Sequence, residues 1–151
     1  MKVGDICTRK VVTALESDEL TAIAELMRKK HIGYLIVVEP NVADGTPVPV
    51  GVITDRDIVV RVIARESDPR SFRVGDVMTR QPILTGLDTS VSCALHYMRE
   101  IGVRRMPVVD SGGRLAGVLS LDEILDALAK DLTDVANSIR HEIKVETALR
   151  P

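Results

Sequence analysis

Two short stretches of the chain carry residue types that handle hydroxyls and anions. In Gly51-Val52-Ile53-Thr54-Asp55-Arg56-Asp57-Ile58 a hydroxyl and a carboxylate stand three residues apart, where an apolar run gives way to helical spacing. At such a turn the Thr54 hydroxyl and the free backbone N–H groups beyond it face any anion placed there. The Asp57 carboxylate accepts two hydrogen bonds at once, as adjacent ribose hydroxyls require. The same pair also fits a plain helix start, with Thr54 as the cap and Asp57 as a favourable first-turn charge. The second stretch, Gly117 to Ile124, keeps the hydroxyl as Ser120 but holds Glu123 at the acid position, with Asp122 before it. The extra methylene moves the acceptor by roughly 1 Å. The cations near these turns are Arg56, Arg104 and Arg105, whose guanidinium forks suit phosphate oxygens. A solvated basic pair is the alternative for Arg104 and Arg105. Gly33 and Tyr34 hold the matching positions in the first half, with His31 just before them.

The elements that position these residues come from a duplication. VGDICTR at 3–9 returns as VGDVMTR at 74–80, and MRKKHIGYLIVVE at 27–39 returns as MREIGVRRMPVVD at 98–110, both at an offset of 71. GVITDRDI at 51–58 returns as GVLSLDEI at 117–124 at an offset of 66. The five-residue difference falls in 40–49, where a longer hairpin turn is tolerated. Each copy has a short apolar run (11–13; 83–85), then polar cap candidates (17–19; 88–90) and apolar residues at helical spacing. A continuous apolar strand (35–38; 106–109), a Gly/Pro/Asp turn, a second strand and a second helix beginning near Asp55 or Leu121 follow. The fold class expected is mixed α+β, with two βαββα units of about 60 residues packed as a pseudo-symmetric pair, since one alone buries too little surface. The organisation expected is 1–66, 67–130 and a helical extension over 131–151.

Composition narrows the function. The chain of 151 residues is 45% apolar and 28% charged, with a net charge of -2 and three aromatic residues, Tyr34, Phe72 and Tyr97. Mixed charge and scarce aromatics argue against nucleic acid as a partner, and no run reaches the length of a membrane span. A cytoplasmic location is expected. Cys7 and Cys93 lack metal-ligand spacing and read as buried, inert thiols.

The duplicated strand-to-helix heptapeptide and the order of elements resemble the cystathionine beta-synthase (CBS) domain family over nearly the whole chain. The resemblance implies two units packed through their sheets, with two clefts for adenosyl ligands such as AMP, ADP, ATP or S-adenosylmethionine. It implies nucleotide-binding roles for Val12, Thr13, Ile53, Thr54, Arg56, Asp57, Arg104, Arg105, Ser120 and Glu123. The purine would lie against Val12, Thr13 and Ile53, and the Thr54/Asp57 cleft would be the better formed of the two. No catalytic residue, metal ligand or cofactor is expected beyond the regulatory nucleotide. There is no nucleophile elbow, phosphate-cradling glycine loop or dinucleotide fingerprint. The expected function is regulatory adenosine-nucleotide sensing, signalled to an effector protein or through a homodimer; a ligand-free dimerisation adaptor is the alternative. In the tail, Leu121, Leu125, Leu128, Leu132, Val135 and Ile139 recur at spacings of 4, 3, 4, 3, 4. That is the seam of a two-helix contact, on a helix expected over 121 to about 143. Folding back of residues 132–139 onto the same chain is the other reading.

Overall fold

The computed structural model describes residues 1–40 and 43–150. Positions 41 and 42, in the longer hairpin turn expected at 40–49, lie outside the described residues, as does 151. Two sheets form. The first has the order β1 (Thr13–Ala14), β2 (Tyr34–Pro40), β3 (Pro47–Thr54), β4 (Thr79–Arg80), and the second β5 (Thr85–Gly86), β6 (Arg105–Val109), β7 (Leu115–Ser120). In each the short leading strand runs parallel to the next, which returns antiparallel through a hairpin. The register slips at matched places, Val37/Val38 and Val108/Val109.

Strand β2 is buried on both faces: Leu35 and Val37 point into the first core, and Ile36 is fully enclosed on the other side. This accounts for its unbroken apolar run. Strand β3 alternates instead, with Ile53 inward and Val52 and Thr54 half-buried. Helices α2 (Leu20–Lys30) and α5 (Val91–Ile101) cover the sheets with Leu20, Ile23 and Met27, and with Val91, Ala94 and Met98. Burying each of the larger of these contributes about 1.5–3 kcal/mol. Ser90 caps α5 by accepting the Cys93 N–H, whereas Glu19, at the start of α2, makes no side-chain capping bond. Cys7 is buried as expected, but Cys93 is exposed, because the α5 face that carries it looks away from the core.

The two repeats exchange their opening heptapeptides. Helix α1 (Val3–Ile6) packs in the second core through Val3 and Cys7, while α4 (Val74–Val77) packs in the first through Val74, Val77 and Met78. The hydrogen bonds repeat at the same offset: the Val3 and Gly4 N–H groups donate to the Thr89 and Leu87 carbonyls, and those of Val74 and Gly75 to Asp18 and Glu16. The division at residue 66 marks the sequence repeat, and the cores cross it. Each crossing passes against the glycine that opens a motif. A Cβ on Gly51 would stand 3.0 Å from the Thr79 carbonyl oxygen, and one on Gly117 would stand 2.8 Å from that of Thr8. A side chain at either position would push the exchanged segment away.

The last helices of the two units differ. α3 (Asp55–Arg61) buries Ile58, with Val62 just beyond it, but leaves Val59 and Ile63 exposed, so only half of these four apolar residues over 58–63 cover the sheet. α6 runs unbroken from Leu121 to Leu149, longer than expected, and its inward residue is Ile124. Leu125, Leu128, Leu132, Val135 and Ile139 are 46–71% exposed, so the tail does not fold back.

Candidate functional site

Both motif turns form capping boxes. At the first, the Asp57 N–H donates to Thr54 Oγ1 (3.1 Å), and the Thr54 N–H and hydroxyl donate to Asp57 Oδ2 (2.9 and 2.8 Å). At the second, the Ser120 N–H donates to Glu123 Oε2 (2.7 Å), and the Ser120 hydroxyl donates to the same oxygen. Each acid therefore spends one oxygen on its own helix start, satisfying the orphan donors there. The second oxygen distinguishes the two turns. Glu123, with its longer arm, reaches across the crossing and accepts the Thr8 hydroxyl at Oε1 (2.7 Å). Asp57 Oδ1 instead lies 3.5 Å from Nε of Arg61, whose guanidinium also donates to the Val77 carbonyl and to Thr79 Oγ1. Burial pushes the Glu123 carboxyl up, but hydrogen bonds from Ser120 and Thr8 outweigh it and hold the group below the usual glutamate value.

Two clefts related by the repeat open where the sheets meet, and they are unequal. The larger, about 300 Å³, is lined by Thr8 of the exchanged heptapeptide, by Lys10, Val11 and Val12 between it and β1, and by Ser120, Asp122 and Glu123 from the second motif. His31, Ile32, Gly33, Tyr34 and Arg105 close it. Its counterpart, about 140 Å³, is walled by Pro82, Ile83, Ile101, Val103 and Pro107. Tyr34 and Arg105 line both, with the Arg105 guanidinium carbon 5.8 Å from the Tyr34 ring centroid. The Tyr34 hydroxyl is enclosed without a partner among the described residues, and burial drives its pKa upward against the pull of Arg105.

Several expected site residues fall elsewhere. Ile53 is fully buried in the first core, because the alternation of β3 turns Val52 outward in its place; it offers no surface to a purine. Val12 packs against the first core yet lines the Glu123 cleft and not the Thr54 one, because it lies on the stretch that returns from the exchanged heptapeptide to β1. Thr13 pairs with Ile36 in the first sheet and lines none of the described cavities. Thr54, Arg56 and Asp57 likewise line none; Arg56 is exposed. Arg104 and Arg105 part company, as neighbours on extended backbone do. Arg105 faces the clefts, and Arg104 lines a groove between α5 and the start of α6. The better-formed cleft thus belongs to Ser120 and Glu123, the reverse of the expectation. Thr8, Lys10 and Arg61 were missed. The repeated heptapeptide, which sets Thr8 against Thr79, carried the signal for the first.

This is a doubly repeated α+β module that builds its clefts from strand-to-helix turns of one unit and crossing segments of the other. The CBS domain model matches residues 3–64 and 74–130, and the chain belongs to the CBS domain family as a tandem pair. An uncharacterized protein of Methanopyrus kandleri is 33% identical over 125 residues, covering 83% of this chain and 61% of that protein's length. Among solved structures, CBSX2 in complex with AMP matches with a TM-score of 0.70 at 27% identity, over 85% of this chain and 96% of that one. A hexameric CBS-CP12 protein from bloom-forming cyanobacteria matches with a TM-score of 0.71 at 27% identity, over 99% and 88%. Among the described residues no helix is long and apolar enough to cross a membrane.

Proposed function

We propose that the chain is a non-catalytic sensor of adenosine nucleotides, working in the cytoplasm, whose ligand sits in the Ser120/Glu123 cleft. The observation that carries this reading is the convergence there of Lys10, His31 and Arg105 with the motif hydroxyl and acid, in a space of about 300 Å³. That volume is at the lower end for small-molecule sites. Glu123 and Ser120 would take the ribose, Val11, Val12 and Ile32 the base, and the cations the phosphate. The likeness to the AMP complex of CBSX2 supports the ligand class. The signal would pass to an effector protein or through a homodimer.

Calorimetry with AMP, ADP, ATP and adenosine tests the reading. Arg105→Ala should lose about 1.5–3 kcal/mol of charged hydrogen bonding to phosphate, roughly ten- to a hundredfold in affinity. Adenosine should be affected far less. Equal losses for nucleotide and nucleoside would remove Arg105 from phosphate recognition. One observation favours the adaptor reading: Glu123 is already satisfied within the chain by Thr8 and Ser120. Thermal melting that ignores all four compounds would establish that alternative, because a bound ligand raises the melting temperature by mass action.

A further inference from the structure

The two motif turns differ at one position that neither the family motif nor the cleft lining includes. Four residues after the acid, on the same helix face, the first unit carries Arg61 and the second Ala127. Arg61 Nη1 donates to the carbonyls of Val77 (2.6 Å) and Met78 (3.3 Å), and Nη2 donates to Thr79 Oγ1 (3.2 Å). Its Nε pairs with Asp57 Oδ1 at 3.5 Å. The guanidinium thus takes up the carboxylate oxygen left free by the capping box, together with the hydroxyl that Thr8 supplies in the other cleft. It spans α3 and the crossing segment where a ribose would have to enter. Thr54 and Asp57 consequently line no described cavity, whereas Ser120 and Glu123, with only a methyl group at 127, line one.

We propose that Arg61 is a specificity-determining residue that occupies the Asp57 turn in place of a ligand, so that the chain holds one adenosine nucleotide and not two. A phosphate-binding role fits Arg61 poorly, because three of its donor contacts and its ion pair are already committed inside the chain. This inference rests on the nucleotide reading of the Glu123 cleft.

Calorimetric stoichiometry with AMP as the probe tests it, on full-length protein whose fold is checked by circular dichroism. Wild type should bind one AMP per chain and Arg61→Ala two. If Arg61→Ala fails to fold, Arg61→Lys keeps the charge, loses the fork that spans both segments, and should also gain a site. The reciprocal variant, Ala127→Arg, places a guanidinium beside Glu123 and should abolish the wild-type site. Unchanged stoichiometry in the folded Arg61 variant, or wild-type binding by Ala127→Arg, overturns the proposal. A wild type that binds no AMP beside an Arg61→Ala that binds one would sink the Glu123-cleft reading and leave the role of Arg61 standing. No binding by either overturns both.

Discussion

Asp57 and Glu123 occupy equivalent turns, yet one atom of reach gives them different partners. Because Asp57 serves the capping box of α3, Asp57→Ala should cost about 0.5–2 kcal/mol of stability. The Arg61 pair adds little, since its guanidinium side is 43% exposed and screened. Urea unfolding measures the loss, and a midpoint equal to wild type would show the box to be dispensable. Glu123 makes a pH-dependent contribution. Its folded pKa lies below the ordinary 4.5, so the contribution is present above that value and lost as pH falls through the folded one. Melting temperatures of wild type and Glu123→Gln should therefore differ most at neutral pH and converge below about pH 4.5. A gap that widens on acidification would contradict this.

Among the elements, α6 departs furthest from its repeat partner: α3 stops at Arg61, while α6 runs 29 residues. The helix was readable from its 4-3 spacing and from the absence of glycine and proline, but its facing was not. Ile124, next to the stripe, takes the core position, which frees Leu125 and Leu128. Nothing in local periodicity tells which of two adjacent apolar residues the sheet will claim. An exposed row of this kind marks an interaction surface. The proposed homodimer, with its tails paired, would account for it, each buried side chain contributing roughly 1.5–3 kcal/mol before ordering costs. Leu132→Glu with Ile139→Glu should shift the protein toward monomer in light scattering and remove the rise of its melting temperature with protein concentration, because neither residue touches a core and only association is lost. An unchanged mass would assign the row to a different partner.

At the level of the whole molecule, the duplicated offsets were enough to place β2, β3, β6, β7 and the two motif turns, since hydrophobic runs and turn residues report on their own neighbourhood. The pairing of clefts was not readable. Covalent order and packing both assign Val12 to the first unit, and only the exchange of 3–9 and 74–80, which leads the chain past Glu123 on its way to β1, makes it a wall of that cleft. The burial of Ile53 was legible, because the alternation of β3 that encloses it follows from the period of a strand. The crossings also make a prediction. Gly117→Ala would place a Cβ against the Thr8 carbonyl, and overpacking of this kind costs about 1–3 kcal/mol. It should loosen the second core and the Glu123 cleft together, seen as lost amide protection in α1 and β7 with β2 and β3 unchanged. Loss of protection in the first sheet would show that the two cores are not separable in this way.

The exchange also sets an order on folding. Everything the first core needs lies between residues 12 and 78, so it can close as soon as the exchanged α4 has been synthesised. The second core waits for its own last helix and then has to recapture the N-terminus across 115 residues of chain, the separation of Thr8 and Glu123. Closing so long a loop slows the step, and until it happens the nascent protein carries a finished half and an unsealed one. An unsealed second half on one molecule is complementary to the undocked 3–9 segment of any other. Crowded synthesis therefore offers this chain a route to intermolecular entanglement that a protein with uncrossed repeats would not have.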